Sequence, residues 1–250
     1  MSQSFAEQLN QLSPEILKTT PALLPPPGQQ SNFENPIDKG HIFVVVGTIE
    51  ICLTLIFYFA RLYTRTFVIR ILKWDDVTCA IGVIGSIVVY AGGIMGTTTG
   101  PFGKHQWDTT LWEITRQKGF ILPSYFSTIT IQPTLLFIKA SFFLMYLHIF
   151  SPMRWLRISV YISLTLLICF YGATSIVQIY FTTPKFGETW LEALFSGSIV
   201  KSNILAVPNA AVGLGFDIVI LVLPLIVVHQ LQLTRARRIS MTVIFLTGIL

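Results

Sequence analysis

The sequence is poor in charge. Only 12% of its 250 residues are Asp, Glu, Lys or Arg, against roughly 25% in an average soluble domain. It also lacks the marks of several chemical classes. Its three cysteines, Cys52, Cys79 and Cys169, lie inside apolar runs with no Cys-x-x-Cys pair, so they read as buried thiols and not as a disulfide framework. The four histidines (His41, His105, His148 and His229) are scattered, so no metal site is expected. The Gly103-Lys104 pair is followed by His105, where a phosphate-binding loop requires Ser or Thr. There is no Gly-x-Ser-x-Gly elbow. No catalytic residue is singled out, and the reading leans away from an enzyme.

What is present is apolar. Hydrophobic residues make up 52%, aromatics 13%, and mean hydropathy is +0.67. That composition excludes a disordered chain and an ordinary cytosolic enzyme, and fits a multi-pass membrane protein. Five stretches reach the length of about 20 apolar residues that a helical span needs: about 41–60, 77–96, 124–149, 156–181 and 205–228. A sixth, at 239–250, is too short to span and reads as either a naturally short or a truncated end. The expected fold is an all-α transmembrane helix bundle over 41–250. Residues 1–40, with the Pro25-Pro26-Pro27-Gly28 break and no basic-then-apolar leader, read as a flexible exposed tail.

The charge pattern orients the spans. Loops after spans one, three and five hold nine basic residues in about 35 positions, including Arg61, Arg65, Arg70 and Lys73. The opposite loops hold seven in about 90. The denser side is expected in the cytosol and the tail outside or in a lumen. The net charge of +5 is thus a topology signal, and nucleic acid is not an expected partner. On the tail side, 106–119 and 189–198 mix Trp107, Trp112 and Trp190 with polar residues, as interfacial segments do. Gly92 and Gly96 keep the small-xxx-small spacing of closely packed helices.

Three ionisable residues fall near the middle of spans: Glu50, Lys139 and Asp217. Each costs about 2.5–3.5 kcal/mol to insert alone, so each needs a partner or a wet cavity. Thr128, Gln132 and Lys139 share one helical stripe; Asn209, Gly213, Asp217 and Pro224 share another. Lys139 is expected to pair with Asp217, Glu50 or both. Three roles stay open for this set: ion pairs that fix helix packing, a ligand pocket including Gln132 and Asn209, and a proton or ion relay. Asp75 and Asp76 precede span two, where acids suit a helix N-terminus and can bond Arg61 or Arg65.

Taken in order, several motifs resemble one family. They are Arg61-Leu62-Tyr63-Thr64-Arg65, Trp74-Asp75-Asp76, Gly103-Lys104-His105, the run Ile138-Lys139-Ala140-Ser141 through Tyr146, His148 and Phe150, Asp217 through Pro224, and the basic run at 234–238 before Phe245-Leu246-Thr247-Gly248. Together they resemble the fungal rhodopsin-domain membrane proteins, among them Pth11-like receptor candidates and the satratoxin-cluster protein 4 family. The resemblance implies a seven-helix bundle with an outside N-terminus. It implies receptor-like sensing of a small apolar or amphipathic ligand with a cytosolic signalling partner, or an accessory or enzymatic role in secondary metabolism. A third reading is a truncated product with little function. The resemblance marks Asp75, Asp76, Lys139, Ser141, Asp217 and Pro224 as motif positions. It does not imply retinal, and no cofactor is expected. The cysteine that family members carry before the proline after span four is absent, since Phe181-Thr182-Thr183-Pro184 stands there, and its partner is absent from 196–199.

Overall fold

A computed structural model describes residues 13–150, 153–195 and 204–230. The stretch at 239–250, the basic run at 234–238 and residues 196–199 lie outside the described residues. Eight α-helices are described: α1 (Pro14–Thr19), α2 (Gly40–Tyr63), α3 (Trp74–Thr99), α4 (Leu111–Thr115), α5 (Leu122–Ile149), α6 (Arg154–Thr182), α7 (Trp190–Phe195) and α8 (Ala206–Gln230). No strand is described; Pro21 and Thr110 form one isolated bridge.

All five expected spans are there. The long apolar helices run over Gly40–Ile69, Trp74–Thr99, Lys118–Ile149, Arg154–Thr182 and Ala206–Val227. The first outruns its expected end because a π-helical turn, Thr64–Ile69, continues α2 past Arg61. That turn stops at Arg70, whose φ of 58° lies in the left-handed region. The second starts earlier because Asp75 and Asp76 occupy its first turn, and the Lys73 amide donates to Asp76 Oδ2 at 3.2 Å.

Glycine sets the α3–α5 contact. A Cβ on Gly82 would strike Ile138, one on Gly85 would strike Thr134, and one on Gly92 would meet Ser127 Oγ at 2.7 Å. Removing the side chain lets two backbones approach, which is how helices pack well in lipid. Gly96 serves a different neighbour, the ring of Phe102. The apolar core lies on the other flank of α5. There Phe143, Val160, Leu167, Phe216 and Val227, from α5, α6 and α8, are all buried.

The tail side is capped. The reading of 1–40 as a flexible tail is modified for its described part, which pairs with the loop after α3. The Ala22 amide donates to Thr109 O (2.9 Å), the Leu111 amide to Thr20 O (3.0 Å), and the Lys39 amide to Gly103 O (3.0 Å). Leu17 packs on Leu111, and the Asn32 amide donates to buried Asp108 at 2.9 Å. Of the two expected interfacial segments, the first forms α4, capped by Thr110 and Glu113. The second forms α7, where Trp190 meets Tyr125 edge-on at 5.0 Å.

Candidate functional site

Three polar constellations occupy the bundle. The first joins α5 to α8. Lys139 is 5% exposed, and its Nζ donates to Asp217 Oδ1 at 2.5 Å and to Gly213 O at 2.9 Å. Asp217 completes this pair from the open flank of α8, with 61% of its side chain exposed. Seven residues further along each helix comes a second rung. The Tyr146 hydroxyl donates to Ile220 O at 2.8 Å. Pro224 has no N–H, so the carbonyl four residues before it loses its helical donor. Tyr146 supplies the missing donor. The motif containing Lys139 and the motif from Asp217 to Pro224 are therefore two sides of one seam.

Beside this seam stand polar atoms without partners. Gln132 Oε1, Tyr171 Oη and Asn209 Oδ1 are buried and accept no hydrogen bond. Orphaned buried oxygens are uncommon, because each loses its hydration uncompensated. Gln132 and Asn209 lie on the tail-side portions of α5 and α8, so the stripes read from the sequence run from there toward the ion pair.

The second constellation lies at the basic end. Asp75 is fully buried, and its Oδ2 accepts from Arg61 Nη2 at 2.7 Å and Arg65 Nη2 at 3.0 Å. Asp76 Oδ1 faces Arg61 Nε at 3.0 Å and Arg65 Nε at 3.6 Å. Both arginines are used where the sequence left a choice between them. Two planar guanidinium groups suit two carboxylates, since each presents several donors in one fork. His148 Nδ1 from α5 approaches Asp75 Oδ1 to 3.9 Å, and Arg61 also reaches Met145. This knot ties α2, α3 and α5 at one end.

The third constellation contains Glu50. The structure does not bring Glu50 to Lys139, which Asp217 engages. Glu50 instead lines a cavity of about 350 Å³ where α2 and α5 flank α3. The sequence reading named Tyr146 within a motif but gave it no role; Pro224, with its displaced carbonyl partner, was the available signal.

Five apolar spans, a docked cap and paired charges at depth define a multi-pass helical membrane protein. The fungal rhodopsin domain family matches residues 60–250, and the chain belongs to it. Among curated proteins, a SAT4 family membrane protein of Emericella nidulans is 33% identical over 127 residues, 49% of this chain and 32% of that protein. Fugralins biosynthesis cluster protein 2 of Gibberella zeae is 25% identical over 236 residues, 92% of this chain and 58% of that protein. The matched segments thus span less than two thirds of either relative. No solved structure matches the chain.

Proposed function

We propose that the protein is a receptor-like sensor of a small apolar or amphipathic ligand, with its tail outside and its basic end toward the cytosol. The observation that carries this reading is the α5–α8 seam. A ligand donor that satisfies Gln132 Oε1 or Asn209 Oδ1 would act about two helical turns from the Lys139–Asp217 pair, along the same helical stripes. Any difference in ligand affinity between two settings of α8 would shift their populations. The Arg61–Asp75–Arg65 knot ties α2 to α3, and α8 would move against α5 packed on α3.

The test compares thermal stability of the purified protein with and without a fungal metabolite extract, alongside Lys139→Ala and Asp217→Ala variants. The reading expects an extract-induced rise in Tm that folded variants lose. Collapse of both variants, with no shift in the parent, overturns it and leaves the pair with packing alone.

A second reading has its own support. The relative aligned over 92% of this chain carries a biosynthesis-cluster name, which suggests an accessory role in secondary metabolism. Recovery of the bound compound separates the two: a sensor returns it unchanged, an enzyme returns a product.

A further inference from the structure

The Glu50 cavity has a chemistry of its own. Away from the span ends, Lys139 is the one described base, and its Nζ is engaged by Asp217 and Gly213 O. Glu50 has no hydrogen bond or ion pair among the described residues. A carboxylate at this depth is costly without a cation. Three of the four hydroxyls that line the cavity do not relieve it, because their protons are engaged elsewhere; the fourth, that of Thr54, has no described hydrogen bond. Ser86 donates to Gly82 O at 3.0 Å, Thr134 to Thr130 O at 2.7 Å, and Tyr90 to Val44 O at 3.2 Å. What these hydroxyls retain for the cavity is lone pairs. The space therefore holds more acceptors than donors, the one unengaged hydroxyl proton being that of Thr54, and is otherwise lined by apolar groups such as Phe43 and Ile138.

Its volume of about 350 Å³ falls within the roughly 300–1,000 Å³ range of small-molecule sites. A second cavity of about 410 Å³, sharing Phe43 and Val89, continues toward Phe102 and the capped end. We propose that the Glu50 cavity binds a lipophilic amine. The protonated nitrogen sits against the Glu50 carboxylate and the hydroxyl lone pairs, and the apolar body lies along Phe43, Val89 and Ile138. The proposal names a place and a ligand class for sensing, and for its biological consequence it rests on the receptor-like reading above.

The test uses the whole chain in phosphatidylcholine nanodiscs, with empty nanodiscs subtracting simple partition. N,N-dimethyldodecylamine is the probe and 1-dodecanol the neutral control. The expected result is saturable amine binding at least tenfold tighter than alcohol binding, with that preference lost in Glu50→Gln. Equal binding of amine and alcohol, or an unchanged preference in Glu50→Gln, overturns the proposal. If Glu50→Gln fails to fold, the parent is labelled with dicyclohexylcarbodiimide and the Glu50 peptide is read by mass spectrometry. Protection by the amine and not the alcohol supports the site, and equal labelling overturns it. Amine binding without any extract-induced stabilisation keeps this site and removes the receptor reading. An extract response that survives Glu50→Gln, with no amine preference in the parent, does the reverse.

Discussion

The Tyr146 hydroxyl donates to the Ile220 carbonyl at 2.8 Å, the carbonyl left without its helical donor by Pro224. A proline inside a span is tolerated where a neighbour re-satisfies the freed group, and here the neighbour is a phenol on another helix. Tyr146 is buried at 2% exposure, so its own hydroxyl also needs an acceptor. One bond meets both needs.

That relationship predicts a coupling. Tyr146→Phe should destabilise the protein by about 0.6 kcal/mol and by no more than about 1.7 kcal/mol, the average and the maximum for interhelical hydrogen bonds within membranes. In a Pro224→Ala background the Ile220 carbonyl regains an amide donor, and the same change should have a smaller effect. A double-mutant cycle on unfolding in detergent measures the difference. Equal effects in both backgrounds would disprove the link between Tyr146 and Pro224.

The ion pair predicts a compensation. Lys139 is 5% exposed while the Asp217 side chain is 61% exposed. Asp217→Asn removes the counter-charge and leaves a buried ammonium with neutral acceptors only, the new amide oxygen and Gly213 O, and breaking a buried pair this way costs about 3–5 kcal/mol. Lys139→Met leaves a carboxylate at mid-span without its cation, which is costly in its turn. The double variant, with no charge to bury, should recover most of the loss. Thermal unfolding of the three proteins checks this, and a double variant no more stable than either single one would contradict it.

The spans were legible because a run of about 20 apolar residues settles a span almost alone. Arg61 and Asp75 did not end their helices, since each finds its counter-charge on the neighbouring helix. The capped tail was not legible. Most of its described hydrogen bonds to the loop are backbone pairs such as Ala22 with Thr109, which leave no side-chain signature. The site was half legible. Helical spacing placed Gln132 with Lys139 and Asn209 with Asp217, but it could not choose between Asp217 and Glu50 as the lysine's partner. That choice depends on which helices adjoin, and Glu50 faces the α2–α3–α5 cavity instead.

The basic-end knot predicts that its two acids differ. Asp75 is fully buried and accepts from two arginines at 2.7 and 3.0 Å. Asp75→Ala should therefore destabilise by about 3–5 kcal/mol, the range for removing one member of a buried pair. Asp76 is 8% exposed and shares its bonds with the Lys73 amide. Asp76→Asn keeps an acceptor there and should cost under about 2 kcal/mol, near the worth of one charge-assisted bond. Loss of cooperative unfolding in Asp75→Ala but not in Asp76→Asn is the expected pattern, and equal Tm values would contradict it.

The α3–α5 contact predicts opposite outcomes for one substitution at two helical glycines. A Cβ at Gly85 would overlap the Thr134 side chain, whereas a Cβ at Gly172 meets nothing within 4 Å. Thr134 is 8% exposed and bonded to Thr130 O at 2.7 Å, so it has little freedom to turn aside. Gly85→Ala must separate the helices or break that bond, and overpacking of this kind costs about 1–3 kcal/mol. Gly172→Ala adds only helix propensity, worth up to about 1 kcal/mol in the stabilising direction. Because α5 carries Thr134 into the Glu50 cavity and Lys139 into the α8 seam, the Gly85 change should also weaken amine binding at Glu50, while the Gly172 change leaves it intact. Parallel Tm and amine-binding measurements on both variants check this. A destabilised Gly172→Ala, or a Gly85→Ala with unchanged Tm, would show that the close approach of α3 and α5 is not what holds these two sites in place.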